Sequence, residues 1–204
     1  MLRAYRIPFS TNVERIALAC GHKGLAVEWV DVDPRDRSPV REVSSQDLVP
    51  VLVDGDRVVH DSLAILRHLE ARFPEPALFP REPAPRAELD VFLDWFDGVW
   101  KRPPNDIDAE RRKAAPEEGR VARLGVTMER SLDRFEALLG GRDYLWGEFS
   151  AADSAAFPFV KYAVDRNAHD DEPFHAILRE FLPLGSNHPR LAAWIRRVDA
   201  LPRA

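Results

Sequence analysis

The amino-acid sequence predicts two domains of different class: an α/β domain of order βαβ then ββα over residues 1–74, and an all-helical bundle domain over residues 86–204. Two observations predict it. Hydrophobic periodicity changes from strand-like alternation mixed with helical spacing to helical spacing alone. Between the two regimes lies PEPALFPREPAP (74–85), with five prolines among twelve residues. That density excludes helix interior and central strand, and predicts a proline-stiffened linker over 75–85.

Taken in order, residues 2–7 form a short strand candidate, 13–23 an amphipathic helix, and 27–32 a second strand with apolar residues at alternate positions. A polar stretch with room for a short helix follows. Residues 51–53 and 57–59 flank Asp54-Gly55-Asp56, a hairpin signal, and 62–73 returns to helix. Beyond the linker, Val121, Leu124, Gly125, Met128, Leu132, Phe135, Leu138 and Leu139 recur at three and four residues and make one apolar stripe. Gly140-Gly141 closes that helix, and Ser150-Ala-Ala-Asp153 opens the next with a capping-box pattern in which aspartate stands in for glutamate. Pro158 is expected to kink it. A last helix over 189–201 carries Leu191, Trp194, Ile195 and Val198 in register.

Composition limits the function. A net charge of −5 argues against a nucleic-acid backbone as partner. No apolar run approaches the roughly 18 residues of a membrane span, and the start does not read as a signal peptide, so a soluble, cytoplasmic chain is expected. The single cysteine, Cys20, lies on the apolar stripe of the first helix and reads as a buried core thiol. One cysteine makes neither an internal disulfide nor a cysteine-based zinc site. The cluster His169-Asp170-Asp171-Glu172 with His175 lacks regular ligand spacing and reads as a solvated loop, so no metal is expected.

Two segments are similar to those of a known family. LVPVLVDGDRVVHDSLAILRHLEARFP resembles a proline-hairpin-helix segment, and GGRDYLWGEFSAADSAAFP a Ser-x-x-Asp cap after a Tyr-Leu-x-Gly turn. Both in order, with a proline linker between them, resemble the glutathione transferase superfamily, in a serine- or cysteine-type branch, over nearly the whole length. The resemblance implies a thioredoxin-like first domain and transfer of a glutathione-like thiol to a small apolar electrophile. It also implies a homodimer, with the exposed side of the helices after Pro85 supplying part of its surface. A non-catalytic binding module, or a thiol-dependent isomerase, lyase or reductase, stands as the alternative, and the thiol is glutathione or another low-molecular-weight thiol.

The resemblance also assigns residues. Val49-Pro50 is expected to be cis, a form cheap only for X-Pro bonds, exposing the backbone of Val49 to a peptide-like ligand. Ser62 is expected to hold a γ-glutamyl carboxylate at the start of a helix, with Asp61 accepting from the ligand's ammonium. The reading without a ligand is a helix cap. Arg41 and Gln46 are candidates for the ligand's far carboxylate. Ser10, in Ser10-Thr-Asn-Val-Glu-Arg15, stands where the cysteine-type branches carry cysteine, and is the candidate donor to the thiolate. Thr11 is the alternative, because Thr11-x-x-Glu14 is itself a capping box. Arg15 reads as structural. Phe9, Trp95 and Trp100 are candidates for an apolar acceptor site.

Overall fold

The computed structural model describes residues 1–165 and 170–204. They form two compact units, Met1–Arg86 together with Leu201–Ala204, and Ala87–Ala200. The first contains β1 (Leu2–Arg6), α1 (Thr11–His22), β2 (Val27–Asp31), α2 (Ser38–Ser44), β3 (Val51–Asp54), β4 (Arg57–His60) and α3 (Ser62–Arg72). The sheet order is β2-β1-β3-β4, with β1 parallel to β2 and both other pairs antiparallel. This is the thioredoxin-like arrangement expected of the sequence. Gly55, at φ +61°, supplies the left-handed residue that the β3–β4 hairpin needs.

Helix α1 buries Val13, Ile16, Ala17 and Cys20 along one stripe, as its spacing predicts, and packs against α3, which buries Leu63, Ile65, Leu66 and Leu69. Burial pushes the Cys20 thiol up to about 12. Lys23 ends α1 with its ammonium inside the unit, donating to Glu70 Oε2 at 2.8 Å, the Phe73 carbonyl at 2.7 Å and the Pro76 carbonyl at 2.8 Å. All three donors of the amine are used, which is what makes a buried lysine tolerable.

The proline-rich segment is not a free linker. Leu78 and Phe79 are buried, and the Leu78 amide donates to Glu70 Oε2, so residues 75–82 pack within the first unit. Helix α4 (Pro83–Trp95) then begins with Pro83 and Pro85 in its first turn, where a missing N–H costs nothing. The unit boundary falls after Arg86. The last four residues return to the first unit: Ala204 donates to the Ala17 carbonyl at 3.1 Å, Trp29 Nε1 donates to the Ala204 carbonyl at 2.9 Å, and Arg203 pairs with Glu14 at 3.1 Å. A Cβ on Gly21 would sit 2.1 Å from the Pro202 oxygen, so the tail needs glycine there.

The second unit is helical. A π-helical turn (Phe96–Trp100) continues α4, followed by α5 (Arg102–Arg111), α6 (Glu118–Leu138), α7 (Ala151–Val160), a 3-10 turn (Lys161–Ala163), α8 (Pro173–Phe181) and α9 (Pro189–Asp199). The predicted stripe of α6 is buried through Val121, Gly125, Met128, Leu132 and Phe135, and Gly125 admits the Phe181 ring, which a Cβ would meet at 2.3 Å. Ser150 and Asp153 form the expected capping box of α7. The fully buried Asp153 carboxylate accepts from the amides of Leu145 and Ser150, the Ser150 hydroxyl and Trp194 Nε1. Burial pushes its pKa up to about 6 against those donors. Pro158 lies inside α7, buried.

His169 lies outside the described residues. Asp170 and His175, expected in a solvated loop, are instead buried: His175 Nδ1 lies 2.8 Å from Asp170 Oδ2, which also accepts from Arg179 at 3.1 Å. A carboxylate with two such partners can enter the core where an unpaired one cannot. Among the described residues no group of three or more His, Cys, Asp or Glu could hold a metal, and no helix is long and apolar enough to cross a membrane.

Candidate functional site

The site is built where α1 and α3 begin. After β1, the chain turns at Pro8 and Phe9, closed by the Ser10 amide donating to the Ile7 carbonyl at 3.2 Å. Ser10 is the N-cap of α1: its backbone is extended and its Oγ accepts from the Val13 amide at 3.4 Å. The cap is therefore one residue earlier than the Thr11-x-x-Glu14 pattern suggests. Thr11 is the first helical residue and is buried, whereas Ser10 is half-buried.

At α3 the assignment also shifts by one. Asp61, not Ser62, is the N-cap, with its Oδ1 accepting from the Ala64 amide at 3.0 Å and its backbone at φ 71°. Ser62 is the first helical residue, and its Oγ accepts from Arg15 Nη1 at 3.1 Å. Arg15 is fully buried, 47 residues away in sequence, and ties α1 to α3. Sequence reasoning missed this contact; the available signal was a charged residue beside the apolar stripe of a helix that must be buried on that side.

These bonds leave each serine in a defined state. Ser10 Oγ and Ser62 Oγ each accept a hydrogen bond from the protein, so the proton of each hydroxyl is free to donate elsewhere. Each also stands at the N-terminus of a helix of eleven or more residues, where partial positive charge favours an anion.

The Val49-Pro50 bond is cis. Pro50 is buried, and Val49 packs with Tyr5 and Ile7 against the cluster of Val32, Val40 and Val51, so the segment before β3 and the end of β1 share one core. The β1–β3 ladder starts at Tyr5 and Val51, which places Val49 two residues outside it.

The remaining candidates divide. Gln46 braces its own loop, donating to Ser44 Oγ and the Leu48 carbonyl and accepting from the Leu48 amide, and Arg41 is paired with Asp47 at 2.7 Å. Gln46 is thus occupied within its own loop, whereas the exposed Arg41 guanidinium engages Asp47 through Nη1 alone. Trp100 is a core residue of the second unit: it is 4% exposed, stacks on Phe96 at 4.6 Å and donates to Ser131 Oγ. With Trp95 it lines a cavity of about 320 Å³ in the second unit. Trp95 lines a groove of about 850 Å³ between α4 and α6, with Val91, Phe92, Arg134 and Trp146. Phe9 is 58% exposed.

The profile of the "Glutathione S-transferase, N-terminal domain" family matches residues 5–77, and that of the "Glutathione S-transferase, C-terminal domain" family matches residues 118–197. Glutathione S-transferase Z1 of Arabidopsis thaliana is 36% identical over 90 residues, 42% of this chain and 41% of that protein, so the match spans less than half of that relative's length. A theta class glutathione S-transferase from Xanthomonas axonopodis pv. citri, solved with glutathione bound, superposes with a TM-score of 0.72 at 26% identity, over 98% of this chain and 92% of that one. The β-etherase LigF of Sphingobium sp. strain SYK-6 has the same fold, with a TM-score of 0.81 at 21% identity over 98% and 96% of the two chains. With family models matching both of its units in order, the chain belongs to the glutathione S-transferase superfamily.

Proposed function

We propose that the chain is an enzyme that binds glutathione in its first unit and transfers it, through its sulfur, to a small apolar electrophile. The observation that carries this reading is the pair of serine hydroxyls at the starts of α1 and α3, each accepting from the protein and each left with a proton to give. In this reading Ser62 donates to the γ-glutamyl carboxylate, and Asp61 accepts from the neighbouring ammonium. The backbone of Val49 pairs with the backbone of the tripeptide as a short added strand. Ser10 donates to the sulfur, and its greater exposure favours it over Thr11.

A free thiol near pKa 8.5 is mostly protonated at neutral pH, so the enzyme's task is to hold the anion. The Ser10 hydroxyl and the amides at the start of α1 stabilise it. The thiolate then attacks the electrophilic carbon, a C–S bond forms, and the leaving group departs with its electron pair. Binding of glutathione by the theta class relative from Xanthomonas supports the choice of thiol.

The protein acts as a cytoplasmic homodimer in this reading, with the apolar α4–α6 groove within the covered surface. Calorimetric titration with glutathione, ultraviolet titration of the bound thiolate and a panel of electrophiles test the proposal together. Saturable binding, a thiol pKa below 8.5 and turnover are expected. Absence of binding at millimolar glutathione overturns it.

A further inference from the structure

The chain carries a net charge of −5, yet one hollow in its second unit, of about 390 Å³, is lined by three arginines and a single acid. One wall is α9. Arg190, Ala193 and Arg197 stand there at i, i+3 and i+7, so two guanidiniums rise from one face with only a methyl group between them. The other wall is the turn that closes α6. A Cβ on Gly140 would sit 3.3 Å from Arg190 Nη1, and Arg197 Nη2 pairs with Asp143 Oδ1 at 2.9 Å, so the turn lies across the face of α9. Arg142 falls between those two contacts and lines the same space.

Each guanidinium is held by a main-chain carbonyl: Arg142 by that of Leu145, Arg190 by that of Glu136 and Arg197 by that of Asp143. A carbonyl fixes a guanidinium in place without cancelling its charge. The carboxylates nearby are already committed. Asp143 faces Arg197, while Glu136 accepts from the amides of Arg190 and Leu191 at the start of α9, with Arg190 Nε 3.5 Å away. Among the described residues no carboxylate pairs with Arg142. Gathering three like charges around a hollow costs repulsion, and the fold returns no ion pair to Arg142 for it.

We infer that this hollow is a second ligand site and takes a small phosphate monoester, with Arg142 and Arg190 on the phosphate and Arg197 and Asp143 on hydroxyls of the ester's body. Guanidinium forks match phosphate oxygens two at a time, and guanidiniums already pinned by carbonyls lose little freedom on binding. The volume suits a sugar phosphate better than an isolated ion. Asp143 offers the acceptor that a hydroxyl needs, a group that a site for a bare anion would exclude. The site lies wholly in the second unit and shares no residue with the helix starts of α1 and α3, so its failure leaves the glutathione reading standing.

Calorimetric titration of the full chain with ribose 5-phosphate, ribose and succinate tests the site in wild type, Arg142→Gln, Arg190→Gln and the double variant. Arg112→Gln, at an exposed arginine paired with Asp108, controls for bulk charge. Wild type is expected to bind one ribose 5-phosphate with a Kd below about 1 mM, and to bind ribose and succinate at least roughly tenfold more weakly. Each single variant should lose roughly tenfold in affinity for the phosphate ester and the double variant roughly a hundredfold, with Arg112→Gln within about twofold of wild type. No saturable binding of ribose 5-phosphate by wild type at roughly 10 mM overturns the inference. So does affinity retained in the double variant, or an equal loss in Arg112→Gln. Succinate bound as tightly as ribose 5-phosphate overturns the choice of a phosphate ester.

Discussion

Replacing Ser10 with alanine separates catalysis from folding, because the structure gives the two roles different sizes. As a cap, Ser10 Oγ accepts from the Val13 amide at 3.4 Å, the long end of a hydrogen bond. Its loss should cost near the lower limit for N-caps, about 0.5 kcal/mol. For a chain of this length that lowers the melting temperature by about 1–2 °C. As a donor to a thiolate, the same hydroxyl makes a charge-assisted bond worth about 1.5–3 kcal/mol. Its loss should raise the bound thiol pKa by roughly one to two units and slow turnover at neutral pH by roughly ten- to 150-fold. Glutathione affinity should change little, since the proposal assigns the anchoring to Val49 and Ser62. Ultraviolet absorbance of the thiolate across pH, in wild type and Ser10→Ala, reads the pKa directly. An unmoved pKa together with unmoved turnover would refute the assignment and transfer it to Thr11, for which Thr11→Val is the matching test.

Three further outcomes are expected. Arg15→Met removes the donor to Ser62 Oγ at the base of the site and should weaken glutathione binding about tenfold while destabilising the fold by about 3 kcal/mol; unchanged binding in the folded variant would make the contact purely structural. Lys23→Met strips the cation from Glu70 and from the carbonyls of Phe73 and Pro76, so chemical denaturation should show a loss of about 3 kcal/mol and limited proteolysis should open residues 73–82 first. Cys20 is raised by burial from 9.0 to about 12, so its folded pKa lies above its unfolded one, and its stabilising contribution is complete below pH 9. That contribution should fall by up to about 1.4 kcal/mol per pH unit as pH rises from 9 towards 12, and iodoacetamide should label the thiol only on unfolding; rapid labelling of native protein at pH 8 would contradict the burial.

The order of strands and helices was legible because it is written in local periodicity: Val27–Asp31, the Asp54-Gly55-Asp56 turn and the α6 stripe each declare themselves within a few residues. The two serines were legible as residues, through resemblance, but their roles as cap and first helical position were each displaced by one. Capping depends on which backbone turns first, and neighbouring Ser, Thr and Asp compete for it. The Arg15–Ser62 bond spans 47 residues and leaves no local trace. The packing of Leu78 and Phe79 was obscured by the prolines around them, although two large apolar residues in a linker were themselves a signal. The buried Asp170–His175 pair looked solvated because only the fold reveals that Arg179 completes it.

The return of residues 201–204 to the first unit makes that unit discontinuous along the gene. The Trp29 indole meets its acceptor, the Ala204 carbonyl, 175 residues later, so a ribosome adding about 5–20 residues per second leaves this edge uncovered for roughly ten to thirty-five seconds. A chimera that exchanges the first unit with that of a relative must therefore carry these four codons with it, and a fragment cut after Arg86 lacks part of its own surface.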